Sequence, residues 1–218
     1  MSIYNPEHRR DSPSARVGMA ILRMSQAVKR LSLAEAEGEG LTPVQAQTLL
    51  FVRHTKSFLT SIGRLAAALS TTHVTAVGVV DGLIRRGLLT KEPSPYDGRV
   101  TLLRLTPDGE RICQNLDRFG HTLEEALSQL DEADLAALEQ QLGALVWSLH
   151  AAGALQVAEP CRGCVHFREN AAPDTAEPHH CQLIQRFLSE EDSRLDCPDH
   201  TPASNADGVS YSVDNVTN

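Results

Sequence analysis

The most constraining stretch of the chain is residues 60–109, where two short apolar-periodic segments are followed at once by two extended segments around a turn. The first, SIGRLAAAL, repeats apolar residues at helical spacing behind Thr60, which is placed to cap it. Ser70-Thr71-Thr72 interrupts the pattern, and HVTAVGVVDGLIRR resumes it up to Gly87. Residues 88–93 read as extended, PYDGR as a turn and VTLLRL as a strand. A hairpin placed directly after a helix-turn-helix makes a winged helix. In that architecture the second helix enters the major groove and reads base edges near its N-terminus. The hairpin tip reaches sideways to the backbone or minor groove, where a basic side chain is favoured.

The flanking segments supply helices. Residues 14–37 place Val17, Ile21, Met24, Val28 and Leu31 at helical spacing and end at Gly38 and Gly40. Thr42-Pro43 then restarts a helix, with Thr as cap and Pro at the first helical position. The same signature at Thr106-Pro107 opens a long helix expected to reach about Leu130. A last helix follows Asp131, with Leu135, Leu138, Leu142, Leu145, Val146 and Leu149 on one stripe. Apolar residues make up 41% of the 218 and aromatics only 4%, which suits helices packed on helices. The expected fold is mainly α with a small β-wing, followed by a small irregular module. The expected organisation is a flexible arm over 1–13, the winged helix with its dimerisation helices over 14–152, a cysteine-rich module over 153–201 and a disordered Ser/Asn/Asp-rich tail over 202–218.

Charge narrows the function. The net charge of −8 is unevenly spread: residues 1–110 hold fourteen Lys and Arg against ten Asp and Glu, and residues 111–218 hold six against eighteen. A mildly basic front half sits behind an acidic total, which suits a nucleic-acid partner for that half alone. The N-terminus lacks the apolar run of a signal peptide, and no stretch of about 18 uncharged apolar residues is present. A cytoplasmic location with no membrane partner is expected. No nucleophile–base pair, phosphate loop or cofactor fingerprint is present, so a non-enzymatic role is expected.

The stretch LAAALSTTHVTAVGVVDGLIRRGLLTK resembles the helix-turn-helix of the MarR family in length and apolar spacing. DGRVTLLRLTPDGERI resembles the family's wing, with Asp97, Arg99, Leu105, Thr106 and Gly109 in the order Asp-x-Arg, strand, Leu-Thr-x-x-Gly. The resemblance covers roughly residues 15–152. It implies a transcriptional repressor that binds a palindromic operator in double-stranded DNA. It also implies a homodimer built from the first and the last two long helices, and a possible small-molecule effector between them. By matching, Thr72, His73, Thr75, Val77 and Gly78 face the major groove, Arg99 enters the minor groove, and Asp97 holds Arg99 or the turn. Val77 and Gly78 stand where many members carry polar or basic residues. Thr and Val methyls that pack on thymine methyls, together with shape readout, are expected in place of hydrogen bonds.

The remaining signal is a cysteine set. Four of the five cysteines, Cys161, Cys164, Cys181 and Cys197, lie in the acidic C-terminal half, separated by two, sixteen and fifteen residues. In a reducing compartment clustered thiols bind metal more often than they pair. A C-x-x-C pair puts two thiolates on one turn, and two more complete a tetrahedral set for Zn²⁺ or an iron–sulfur cluster. Here only one pair exists and the other two thiols come singly, which suits a 4Fe-4S cluster over zinc. The pattern C-x-x-C-x-x-F, a spaced Cys, then Cys197-Pro198 is similar to small cluster domains that serve as accessory subunits of glycyl-radical enzymes. His166, His179, His180 and His200 could replace a thiol, but are expected to be solvated neighbours or donors to sulfur. Cys113 stands apart and is expected to be an apolar packing residue.

Overall fold

A computed structural model describes residues 2–203. The order is α1 (Pro6–Asp11), α2 (Pro13–Glu37), α3 (Pro43–His54), α4 (Ile62–Ala68), α5 (His73–Arg85), β1 (Leu89–Pro93), β2 (Thr101–Leu105), α6 (Pro107–Asn115), α7 (His121–Leu127) and α8 (Glu132–Ala151). A second group follows: β3 (Phe167–Arg168), β4 (His179–Cys181), β5 (Arg186–Leu188) and α9 (Glu190–Arg194). The first group is a helical body with a two-stranded antiparallel wing, in which Leu89 faces Leu105 and Pro93 faces Thr101. The second contains a three-stranded antiparallel sheet in the order β3-β4-β5, so the module expected to be irregular has a small regular centre.

Local chemistry explains most boundaries. At α3, Thr42 accepts from the Gln45 N–H while the Gln45 side chain accepts from Thr42, a reciprocal cap. Thr106 caps α6 through the Gly109 N–H, and Asp131 caps α8 through that of Asp134. Other boundaries depart from expectation. Residues 1–13 are not a loose arm throughout, because Asn5 caps α1 and Pro6 starts it. Arg9 then donates to the Ile3 carbonyl, and Arg16 of α2 to those of Arg9 and Arg10. Thr60 does not cap α4; Ser61 does, and the buried Thr60 hydroxyl serves β2 instead. The helix expected to run from Thr106 to Leu130 stops at Asn115 and resumes as α7 after Gly120, whose φ of 92° is left-handed and whose N–H donates to Glu35 at 2.8 Å. Of the tail expected over 202–218, Pro202 and Ala203 pair with Cys164 and Gly163, and the rest lies outside the described residues.

One core serves the body. Leu49, Leu65, Val80, Leu83, Leu89 and Leu103 are fully buried in it, from α3, α4, α5 and both strands. Cys113 joins them with no exposure, and burial pushes its thiol up to about 11, which suits packing rather than chemistry. α8 differs. None of its residues is buried, and Leu135, Leu142, Leu145, Val146 and Leu149 are exposed, as are Val17, Ile21, Met24 and Val28 of α2. No single helix among the described residues is long and apolar enough to cross a membrane.

Gly109 shows how closely wing and body are fitted. A Cβ there would lie 2.1 Å from the Leu88 carbonyl oxygen, a backbone atom that cannot swing aside. Gly109→Ala should therefore destabilise the protein by about 3 kcal/mol, measured by urea unfolding, with loss of the wing's cooperative transition.

Candidate nucleic-acid interface and cysteine centre

α4 and α5 cross at 111°, within the range of a helix-turn-helix. Between them Ser70 takes a left-handed φ of 48°. Ala76, Val80 and Leu83 anchor α5 in the core, which fixes the opposite face outward. Thr72 is the cap of α5: its hydroxyl accepts from the Thr75 N–H at 3.2 Å and lies 2.8 Å from the Thr75 hydroxyl. Thr72, His73, Thr75 and Gly78 are exposed, and Val77 is half-buried. Val74, 81% exposed at the same end, is the most exposed of the large apolar residues here and was not expected. Its signal was available, since it lies on the face opposite Ala76, Val80 and Leu83. Nothing lies within 4 Å of a Cβ built on Gly78, so the fold gives no reason for a glycine there. Farther along, Asp81 is paired with Lys91 of β1 at 2.7 Å.

At the wing, Asp97 is a turn holder first. Its carboxylate accepts from the Arg99 N–H at 3.0 Å and lies 3.8 Å from Arg99 Nε. The Arg99 side chain is 96% exposed, so it presents a cation at the tip. The Ser94 N–H donates to the Val100 carbonyl at 2.8 Å and closes the loop.

The cysteine module is docked on this machinery. Thr55 pairs with Asp196 as a parallel bridge. Lys56 N–H donates to the Asp196 carbonyl at 3.2 Å, and Asp196 N–H donates to that of His54 at 2.9 Å. Arg64 of α4 forms an ion pair with Asp199 at 2.5 Å. Arg186 of β5 lies between two rings, 4.4 Å from that of Phe58 and 4.6 Å from that of Tyr96 in the wing loop. On the other side, Gln156 donates to the Pro198 carbonyl, and His200 lies 6.3 Å from Trp147 of α8.

The four expected thiols come to one region. Cys161 and Cys164 share a turn, in which Cys164 N–H donates to the Cys161 carbonyl and Gly163 takes a φ of 82°. Cys161, Cys181 and Cys197 border a small cavity of about 20 Å³ that is also lined by Lys56, Phe58 and Leu59 of the body. Cys164 interacts electrostatically with Cys197. The Thr201 N–H donates to the Cys164 sulfur at 3.5 Å, while the Asp199 backbone acts on Cys197 and the Lys56 cation on Cys161. Burial pushes the free Cys161 thiol up to about 11 and raises that of Cys197. Among the described residues no three His, Cys, Asp or Glu side chains close on one point tightly enough to hold a single metal ion.

The histidines expected to be solvated are not all so. His179 is buried, accepting from Asn170 N–H at Nδ1 and donating from Nε2 to Glu190 at 2.7 Å, which fixes its tautomer. His200 is also buried, whereas His180 stacks on Phe187 with ring centres 4.9 Å apart.

Residues 39–100 match the MarR family. The structure of S. aureus MepR in complex with DNA is similar at 22% identity, covering 61% of this chain and 97% of that one, with a TM-score of 0.55. Sco5413, a MarR family transcriptional regulator of Streptomyces coelicolor, is similar at 23% identity, 65% and 95% coverage and a TM-score of 0.51. BpsR of Bordetella bronchiseptica, studied for regulation of its DNA binding by 6-hydroxynicotinic acid, is similar at 24% identity, 65% and 96% coverage and a TM-score of 0.50. These likenesses establish the fold. No curated protein matches the chain in sequence.

Gly78→Ala separates folding from contact. The substitution should stabilise the isolated protein by about 1 kcal/mol in thermal unfolding, because alanine favours an exposed helix. If α5 enters a DNA groove, the substitution should also weaken binding to duplex DNA severalfold in a titration, because the methyl would hold the α5 backbone off the groove.

Proposed function

We propose that the chain is a homodimeric MarR-type transcriptional regulator, acting as a repressor. It binds a palindromic operator in double-stranded DNA, with an affinity set by a 4Fe-4S cluster on Cys161, Cys164, Cys181 and Cys197. The carrying observation is the winged-helix geometry. A core-anchored α5 presents Thr72, His73, Val74, Thr75 and Gly78, and a braced hairpin presents Arg99. The match of residues 39–100 to the MarR family supports it. The methyls of Val74 and Thr75 suit thymine methyls in the major groove, and Arg99 suits the narrow, electronegative minor groove.

The dimer reading rests on α8. A twenty-residue helix with no buried residue has its leucine stripe uncovered, and α2 exposes an apolar stripe of its own. A second copy that covers both stripes gives α8 the core it lacks and sets two recognition helices for a palindrome. Sedimentation should give about twice the 23.7 kDa of the chain.

The cluster reading is supported by the donor set: the Cys161–Cys164 turn and two thiols from separate segments come to one region, three of the four border one cavity, and Cys164 accepts from the Thr201 N–H. Hydrogen bonds to sulfur favour the thiolate form that a cluster needs. A bound cluster supplies a charge that changes on reduction or loss. This chain's own residues carry that change outward, because the module touches α4 through Arg64–Asp199 and the wing loop through Arg186–Tyr96.

Two measurements test the reading. Protein purified without air should contain iron and sulfide, and the Cys161→Ser/Cys164→Ser variant should bind operator with an affinity changed by about 5–150-fold at matched salt. Equal affinity sinks the sensing role. Zinc without iron replaces the cluster by a structural Zn²⁺ centre, with a small-molecule effector between the dimer helices as the sensor. Arg186→Ala should keep the metal yet bind operator like the cysteine variant, since the wing loop loses its tie.

A further inference from the structure

Lys56 belongs to the DNA-binding body, in the bend between α3 and α4, yet its side chain is only 1% exposed. Its Nζ donates to the Leu195 carbonyl, and its charge acts on Cys161. It lines the same cavity as Cys161, Cys181 and Cys197. Asp196 acts on it electrostatically and Asp199 borders the same cavity, but Asp199 is paired with Arg64, and among the described residues neither carboxylate forms an ion pair with Lys56. Burying a cation without an anion is costly, so the surroundings should supply negative charge. The groups placed to do so are the thiols. Four thiolates outweigh the positive charge of an iron–sulfur core, so the filled centre is a net anion, and one-electron reduction makes it more so.

We propose that Lys56 is the counter-ion of the four-cysteine centre, a cation contributed by the DNA-binding body that stabilises the bound cluster and raises its reduction potential. The proposal rests on the cluster reading above. In the step concerned, one electron passes from an external one-electron donor into the iron–sulfur core, and no bond forms or breaks. Lys56 favours the more negative product by its charge. It follows that this cation travels with the body, so undocking the module removes it from the sulfurs.

The test uses the full-length protein with Lys56→Met and Lys56→Arg, all purified anaerobically. Iron and sulfide are quantified, folding is checked by circular dichroism, and each protein is titrated with dithionite under electron paramagnetic resonance. Lys56→Met should lower the midpoint potential by about 59 mV or more, a tenfold change in the one-electron equilibrium, whereas Lys56→Arg should stay near the unsubstituted value. If Lys56→Met loses its cluster while Lys56→Arg keeps it, the counter-ion role also stands. Equal potentials in all three proteins, or cluster loss in both variants, overturn the role of Lys56 and leave the cluster reading intact. Absence of iron and sulfide from the unsubstituted protein overturns both.

Discussion

The seven residues between α3 and α4 hold the molecule together through hydrogen bonds on two sides. Toward the wing, Leu103 N–H donates to the Thr60 carbonyl and the Thr60 hydroxyl donates to the Leu103 carbonyl, both at 2.9 Å. Arg104 of β2 adds a bond to the Ser57 carbonyl. Toward the cysteine module, residues 54–56 and Asp196 exchange the bonds of a short parallel bridge. Such a bend would otherwise bury unpaired polar groups, at about 1–3 kcal/mol each. Thr55, Lys56 and Thr60 are among the few buried polar residues of the body, and all three lie here. Helix-turn-helix, wing and module therefore share one structural hinge point, and none can shift without disturbing bonds of another.

The recognition surface has a different balance. Its outward face carries methyl groups, hydroxyls and a glycine, and its one acid is neutralised by Lys91. Hydrogen-bonding side chains that would read individual bases are sparse. The basic character of the front half is spent elsewhere: Arg64 on Asp199, Arg86 on the carbonyls of Gly40 and Glu39, Arg104 on Glu92. Arg99 is braced at its backbone by Asp97 and exposed at its side chain. An interface of this kind depends on close fit to groove shape more than on attraction to phosphate.

Local signals in the sequence were legible where one residue decides the outcome. Thr42, Thr106 and Asp131 cap as their positions suggest, and the wing turn and the interruption at Ser70 follow from their residues. The C-x-x-C turn was legible too. What could not be read were outcomes settled by distant partners. Thr60 and Ser61 are equivalent caps on paper, and only the arrival of β2 assigns Thr60 elsewhere. The turn at Gly120 is met by Glu35, far away in α2. His179 and His200 look like solvated residues of an acidic tail until Glu190 and α8 enclose them. Lys56 and Arg186 sit in unremarkable polar stretches, and their importance comes wholly from which surfaces meet.

The stacking of Arg186 between Phe58 and Tyr96 has a consequence that runs backwards, from DNA to metal. Its buried Nη1 has no hydrogen-bond partner among the described residues, so the guanidinium is held by the two rings. A duplex that engages the wing loop must bias the position of Tyr96. If the centre changes the affinity for DNA by some factor, thermodynamic linkage requires DNA to change the stability of the centre by the same factor. Operator-bound and free molecules would then differ in how readily they lose or gain the metal. Occupied promoter sites would thus keep a separate pool of the regulator, with its own threshold for the signal.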